Sequence, residues 1–331
     1  MHWLGAVQAQ DFNGAKWALA QRMRTTTNSL IEEAYNEGKI LRTHLMRPTW
    51  HFVAPDDIRW LLQLTASRVN VACGSNYRKL ELDAALFKRC NKALTKALKG
   101  GQHLTRTALR AVINQAGVAA DDSIRLVHIL LYAELDGLIC SGPRLGNQFT
   151  YALLDERVPE TKTLNREEAL AKLTRRYFTS HGPATLQDFI WWSGLTAADA
   201  KNGLALVEPH LTKALADSKV YWTSGSVMPV GRPLRSAYLL PAFDEYIVAY
   251  KDRKAVLDLN KSNPLITANG ILGPTIIVNG KIAGSWKRTN GKNSAMMTLN
   301  PFRPLSKTEK LAIGKAMDGY ATFLGLPIEI Q

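Results

Sequence analysis

The amino-acid sequence predicts an α+β protein made of three tandem winged helix-turn-helix units followed by a C-terminal β-barrel. Three observations carry that expectation. Helical segments ending in a short two-stranded hairpin recur three times ahead of the Asn-Gly-rich C-terminal part. Asp136-Gly137-Leu138-Ile139 echoes Glu37-Gly38-Lys39-Ile40, which marks the second pass of the repeat. From Tyr221 onward, Asn-Gly pairs at 269-270, 279-280 and 290-291 separate short apolar strands, the best local signal for tight hairpins.

The first winged unit spans 1–54. Asp11 or Asn13 is placed to cap a helix from Ala15 to Arg24. A second helix runs from Asn28 to Glu37, with Leu30, Ile31 and Ala34 as its apolar side and Gly38 as its stop. ILRTHL and TWHFV, joined by Met46, Arg47 and Pro48, read as the hairpin. The second unit, 55–158, includes linking helices: Pro55 to about Val71, Asp83 to Leu98, Thr105 to Ala116 after the Gly100-Gly101 break, and Ser123 to Leu135. Its wing is GLICSGPRLGNQFTYALL, with a Gly-Pro turn. The third unit, 159–220, has helices from Arg166 to Ser180, Thr185 to Trp192 and Thr196 to Leu206, and ends in VYWTSGSVMPV. The remainder, 221–331, is the barrel, with TIIV, KIAGSW and SAMMTL as strands and a closing helix from Ser306 to Leu324.

Charge narrows the partners. The chain carries 42 Lys and Arg against 28 Asp and Glu, a formal net charge of +14 with a pI near 9.7, and a protein this basic commonly meets a polyanion, with nucleic acid first. Cys73, Cys90 and Cys140 are far apart and form no CxxC pair, so neither a disulfide framework nor a zinc site is indicated. No secretory leader and no run of eighteen apolar residues occurs, so a cytoplasmic protein is expected. GxSxG, P-loop, Rossmann and HExxH patterns are absent, which removes the common hydrolase, nucleotide-binding and zincin chemistries.

The stretch that stands out is WLGAVQAQDFNGAKWALAQRM, in which Gln8 and Gln10 flank one small residue just before a helix-breaking cluster. On a helix, positions i and i+2 point about 200° apart, so both amides address one volume only where the backbone leaves helical geometry. Two converging amides orient a water molecule without removing its proton as a strong base does. Chemistry at such a pair therefore requires a substrate whose leaving group is already activated. Taken without context, the pair is also what two polar residues at a helix end look like.

Other candidates are contacts. Arg42, Arg47 and His51 lie on the first hairpin, where phosphate contact and plain solvation are equally good readings. Arg175 with Arg176, and Lys287 with Arg288, are further phosphate candidates, while Trp286 reads as a barrel packing residue and Trp191 with Trp192 as core and rim. His44 and His51 lack companions for a metal set. Asp244 and Glu245 follow an apolar strand, where successive residues face opposite ways, so they do not act as a pair; a bond from Asp244 to backbone or to Arg253 is expected.

GAVQAQDFNGAKWALAQR, LRTHLMRPTWHFV, HGPATLQDFIWWSGL, and LLPAFDEYIVAYKDR followed by IIVNGKIAGSWKR resemble the AlkZ-like DNA glycosylases. The resemblance runs from the first residues into the barrel. It implies tandem winged helices with a β-barrel, and excision of bulky N7-alkylated purines, including crosslinked ones, from double-stranded DNA with no metal or organic cofactor. The family motif is Gln, an apolar residue, then Gln or Asp; Gln8-Ala9-Gln10 is similar to the Gln-x-Gln branch, which assigns Gln8 and Gln10 to holding the attacking water. Family members usually carry a further N-terminal helix, so a short first unit is expected. The resulting expectation is a monomeric, monofunctional glycosylase without a lysine Schiff-base step. The alternative is a non-catalytic winged-helix DNA-binding transcriptional regulator.

Overall fold

The computed structural model describes residues 1–160, 163–225, 236–257, 273–291 and 293–331. Its first half runs β1 (Ala6–Gln8), α1 (Phe12–Ala20), α2 (Asn28–Asn36), β2 (Leu41–Leu45), β3 (Arg47–Val53), α3 (Pro55–Lys79), α4 (Ala84–Leu98), β4 (Leu104–Thr105), α5 (Arg106–Gln115), α6 (Ser123–Leu135), β5 (Ile139–Ser141), β6 (Thr150–Leu153) and α7 (Leu154–Arg157). There follow α8 (Arg166–Ser180), α9 (Leu186–Ser193), α10 (Ala197–Val207), β7 (Thr212–Ala216), β8 (Lys219–Thr223), β9 (Ala237–Leu240), α11 (Glu245–Val248), β10 (Thr275–Val278), β11 (Lys281–Asn290), β12 (Ala295–Pro301), α12 (Lys307–Leu324) and β13 (Ile328–Ile330). This mixed α+β chain divides into one unit of Met1–Val7 with Ala34–Gly225 and another of Gln8–Glu33 with Ser226–Gln331.

In the first unit α3 packs against α6, α8 and the β2–β3 hairpin. It outruns the expected end at Val71, continuing through Gly74 to Lys79, and the chain turns at Glu81, whose φ is +52°. β2 and β3 pair antiparallel, with an irregularity at His44/Leu45 and a left-handed Met46 (φ +60°) at the turn. β1 joins them in the order β1-β3-β2. The segment leading into Gln8 is thus a strand and not the helix end considered above: Gly5, at φ +81°, turns the chain, and Ala6, Val7 and Gln8 are all buried. The sheet β4-β6-β5 holds the second hairpin.

The third hairpin, β7–β8, starts earlier than expected. VYWT is its second strand and TKALA its first, and the turn is made by Asp217 and Ser218 at φ +47° and +59°. Asp and Ser entering this conformation leave no glycine to flag the turn. The rest of the expected third wing, 226–230, lies outside the described residues.

In the second unit five strands form one sheet in the order β13-β12-β11-β10-β9, antiparallel except for the β12–β13 pair. Among the described residues the sheet is a curled half-barrel, where a β-barrel was expected. Helix α12 packs on β9, β10 and β13. Asn279 and Gly280, at φ +51° and +80°, make the expected β10–β11 turn, and Gly291 N–H donates to Ser294 O at 2.8 Å beyond β11. The Asn269-Gly270 pair lies outside the described residues. The aromatic core joins α1 to α12 and the sheet: Trp17 meets Tyr320 and Phe323 at 4.8 and 5.1 Å, and Trp286 meets Tyr320 at 5.4 Å. Both indole N–H groups are satisfied, Trp17 by Leu239 O and Trp286 by Leu240 O. Trp286 is the packing residue its sequence position suggested. Among the described residues no helix is long and apolar enough to cross a membrane.

Candidate active site

The Gln8-Ala9-Gln10 tripeptide connects β1 to α1. An extended backbone lets side chains at i and i+2 leave on one side, as a helix does not; β1 has that geometry through Gln8, and Asp11 has it at φ −90°, ψ 101°. Gln8 is buried, with 7% exposure, while Gln10 reaches solvent. One amide is therefore held by the protein and the other is accessible to a ligand. Asp11 ends the strand and starts the helix by accepting the Gly14 N–H at 3.0 Å. Gly14 is needed here, since a Cβ would stand 2.5 Å from Asp11 Oδ2 and 3.0 Å from Pro241 Cβ.

Against the tripeptide lies the segment that was read as a strand end. Asp244 and Glu245 instead begin α11, Asp244 as its cap through the Tyr246 N–H at 2.9 Å. Glu245 Oε1 accepts the Gln8 backbone N–H at 2.8 Å. Asp244 also takes both Arg22 terminal nitrogens, at 2.9 and 2.7 Å; of the two partners expected for it the backbone is met by the Tyr246 N–H, and the cation is Arg22 in place of Arg253. Burial alone would lower the Arg22 pKa, but the charge and hydrogen bonds of Asp244, with Glu245 adding to the field, raise it above its ordinary value. The elements missed from sequence here are Arg22 and the helical turn at 245. An Asp before Glu-Tyr-Ile-Val is an N-cap signal, but four helical residues are too few to show a period.

Lys287 and Arg288 alternate across β11 and do not act together: Lys287 is exposed, whereas Arg288 lies with its guanidinium 5.5 Å from the Tyr320 ring. Burial lowers the Arg288 pKa, and the charge of Asp11 opposes that shift.

The candidates of the first unit separate by exposure. All of β2 is buried, so Arg42 is interior and not a solvated wing residue: its guanidinium lies between the Trp50 and Phe149 rings at 4.4 and 4.7 Å, and burial lowers its pKa. His51 is also interior, with Nδ1 bonded to Thr49 O at 2.9 Å. Arg47 is half-buried on the hairpin turn and Arg175 is exposed on α8. His44 pairs with Glu134, a buried carboxylate supplied by α6 that sequence distance concealed. Among the described residues no three metal-binding side chains cluster. Trp192 is fully buried and Trp191 is 43% exposed, the core and rim expected.

Arg176 has a structural partner, Asp57, at 2.6 Å. Lys172 stands 3.3 Å from the same carboxylate and the Trp60 N–H donates to it at 2.9 Å. Burial would raise the Asp57 pKa, but Arg176, Trp60 and Lys172 together hold it below the ordinary 3.8. Stabilisation from the ionised Asp57 is whole above the unfolded-state pKa and disappears as pH falls through the lower folded-state value. In thermal melts across pH Asp57→Asn is therefore expected to be less stable than wild type at neutral pH, and to decline less steeply as pH falls below the ordinary carboxylate value.

The sequence matches a family model described as "DNA glycosylase AlkZ-like" over residues 1–323. A curated relative, the "Interstrand DNA cross-link repair glycosylase" of Streptomyces sahachiroi, is 24% identical over 351 residues, covering 99% of this chain and 91% of the relative. The solved structure of "Streptomyces sahachiroi DNA glycosylase AlkZ" superposes with a TM-score of 0.78 at 19% identity, covering 99% of this chain and 92% of that one.

Proposed function

This chain belongs to the AlkZ-like family and is a DNA glycosylase, and we propose that it hydrolyses the N-glycosidic bond of N7-alkylated purines, bulky or crosslinked, with a water held by Gln8 and Gln10. The observation that carries the reading is the placement of this pair: one buried and one exposed amide at a strand-to-helix junction, beside Asp244 and Glu245. The family assignment replaces the alternative of a non-catalytic regulator.

The chemistry suits neutral amides. N7 alkylation makes guanine cationic, so the C1′–N9 electron pair leaves onto an already electron-poor ring. Water adds to C1′, its surplus proton passes to solvent, and free base and an abasic sugar result. Gln8 and Gln10 orient the nucleophile, and their oxygens face the positive charge that develops on the sugar. No amine attacks, so no Schiff base forms and the DNA backbone stays intact.

For DNA contact the reading favours Arg47, Arg175 and Lys287, with Arg176 and Arg288 at half-buried positions, and leaves out Arg42 and His51, which are interior to the hairpin. The hairpins β2–β3, β5–β6 and β7–β8, each preceded by helices, are read as three winged units ahead of the half-barrel. A cytoplasmic monomer fits the three buried free thiols, Cys73, Cys90 and Cys140.

The relative's name supplies the test. A duplex crosslinked through N7 of two guanines, incubated with the protein and run on a denaturing gel, is expected to separate into single strands, one of them bearing an abasic site. A duplex that stays crosslinked under conditions where monoadducts are excised would restrict the substrate to monoadducts.

A further inference from the structure

A buried carboxylate is costly to remove from water, so its location is informative. Glu245 is 2% exposed, and its Oε1 accepts the Gln8 N–H at 2.8 Å, a charge-assisted bond stronger than one between neutral groups. The backbone is strained to place it. Phe243, two residues earlier, has φ +62°, a conformation that bulky L-residues rarely adopt and that persists only where the surroundings enforce it. Asp244 then fixes the start of α11 through the Tyr246 N–H and through Arg22.

The tripeptide is consequently clamped at both ends. Glu245 grips the Gln8 peptide at one end; at the other, Asp11 is held by Gly14 N–H on its side chain and by Ala15 N–H on its carbonyl at 2.8 Å. Only Ala9 and Gln10 lie between the grips.

Resting on the reading that Gln8 and Gln10 hold the water, we propose that Glu245 is a positioning residue for the hydrolytic step, fixing the Gln8 peptide and with it the aim of the amide pair. A single misdirected amide suffices to slow such a reaction, because misplacement by about 1 Å costs about 100-fold in rate.

The test compares Glu245→Leu, Glu245→Gln and Glu245→Asp with wild type, Gln8→Ala and Gln10→Ala. The readouts are single-turnover excision from a duplex with one N7-methylguanine and Kd for the same duplex. Leucine fills the space without an acceptor and is expected to slow excision about 100-fold with little change in Kd. Glutamine restores an acceptor oxygen at the same reach and is expected to recover most of the rate. Aspartate keeps the charge but falls a methylene short, and is expected to stay slow. A folded Glu245→Leu that cleaves at the wild-type rate overturns the proposal, as does a slow Gln beside a fast Asp, a comparison that stands even if the Leu variant fails to fold. If Gln8→Ala and Gln10→Ala also cleave normally, the water-holding reading itself fails; if they are inactive while Glu245→Leu is fast, only the positioning role does.

Discussion

Gly194→Ala is expected to destabilise the first unit by about 3 kcal/mol or more, lowering its melting temperature by about 5–10 °C. Gly194 ends α9 in the left-handed conformation, at φ +68°, with its N–H on Ile190 O. A Cβ there would stand 2.1 Å from Met46 O and 3.1 Å from Met46 C. Both are backbone atoms of a turn that is itself left-handed at φ +60°, so no side-chain rotation relieves the overlap. Gly325 is the matched control. It ends α12 at the same φ of +68°, but a Cβ there meets nothing within 4 Å. Gly325→Ala therefore carries only the conformational cost, about 1–2 kcal/mol. Calorimetry of the two variants separates the cost of the left-handed backbone from that of the contact with Met46. Equal shifts in the two would show that the α9 end does not press on the hairpin turn.

Gln8→Ala and Gln10→Ala are each expected to slow release of an N7-alkylated base by about 100- to 1000-fold, as loss of a single oriented polar group at a developing charge does elsewhere. Lesion binding should persist, because neither amide carries charge that DNA phosphates attract. The double variant should be little slower than either single one, since two groups that hold one water act as a unit and their losses do not add. Single-turnover kinetics on the three proteins, with Kd measured in parallel, checks all of this. Additive losses would mean that the two amides perform separate tasks.

Much of the fold was legible because the signals were local. Ser123 to Leu135 and Arg166 to Ser180 appear as helices over the residues read from sequence, each opened by a capping residue, Asp122 or Asn165. The Asn279-Gly280 turn came from its dipeptide. What stayed hidden depends on contacts between distant residues. Val7 becomes strand because of its sheet neighbours, and the α1 segment, Gln8–Glu33, clusters with Ser226–Gln331, which the whole of the other unit's main segment, Ala34–Gly225, separates from it in sequence. β13 stayed hidden because, although Gly325 and Pro327 mark a turn before it, three residues are too few to show a strand period, and its parallel partner β12 lies about thirty positions away.

The candidate site divides in the same way. Gln8 and Gln10 were visible as a motif, whereas Glu245 and Arg22 were not assignable, since a carboxylate's partner cannot be read off the chain when it is 237 or 222 residues away. Arg42 misled for a physical reason: on a hairpin expected to face solvent, its charge suggested phosphate, but both faces of β2 are covered and two aromatic rings take the guanidinium.

The central claim is that the protein cuts the glycosidic bond of a cationic purine with an oriented water and nothing more. Its most direct test is a single-turnover incubation of the wild-type protein with a duplex carrying one N7-methylguanine, with borohydride present in a parallel reaction. The account predicts free N7-methylguanine, an intact backbone with one abasic site, and no protein trapped on DNA. A borohydride-trapped adduct, or DNA that is bound yet returned with its base in place, would contradict it.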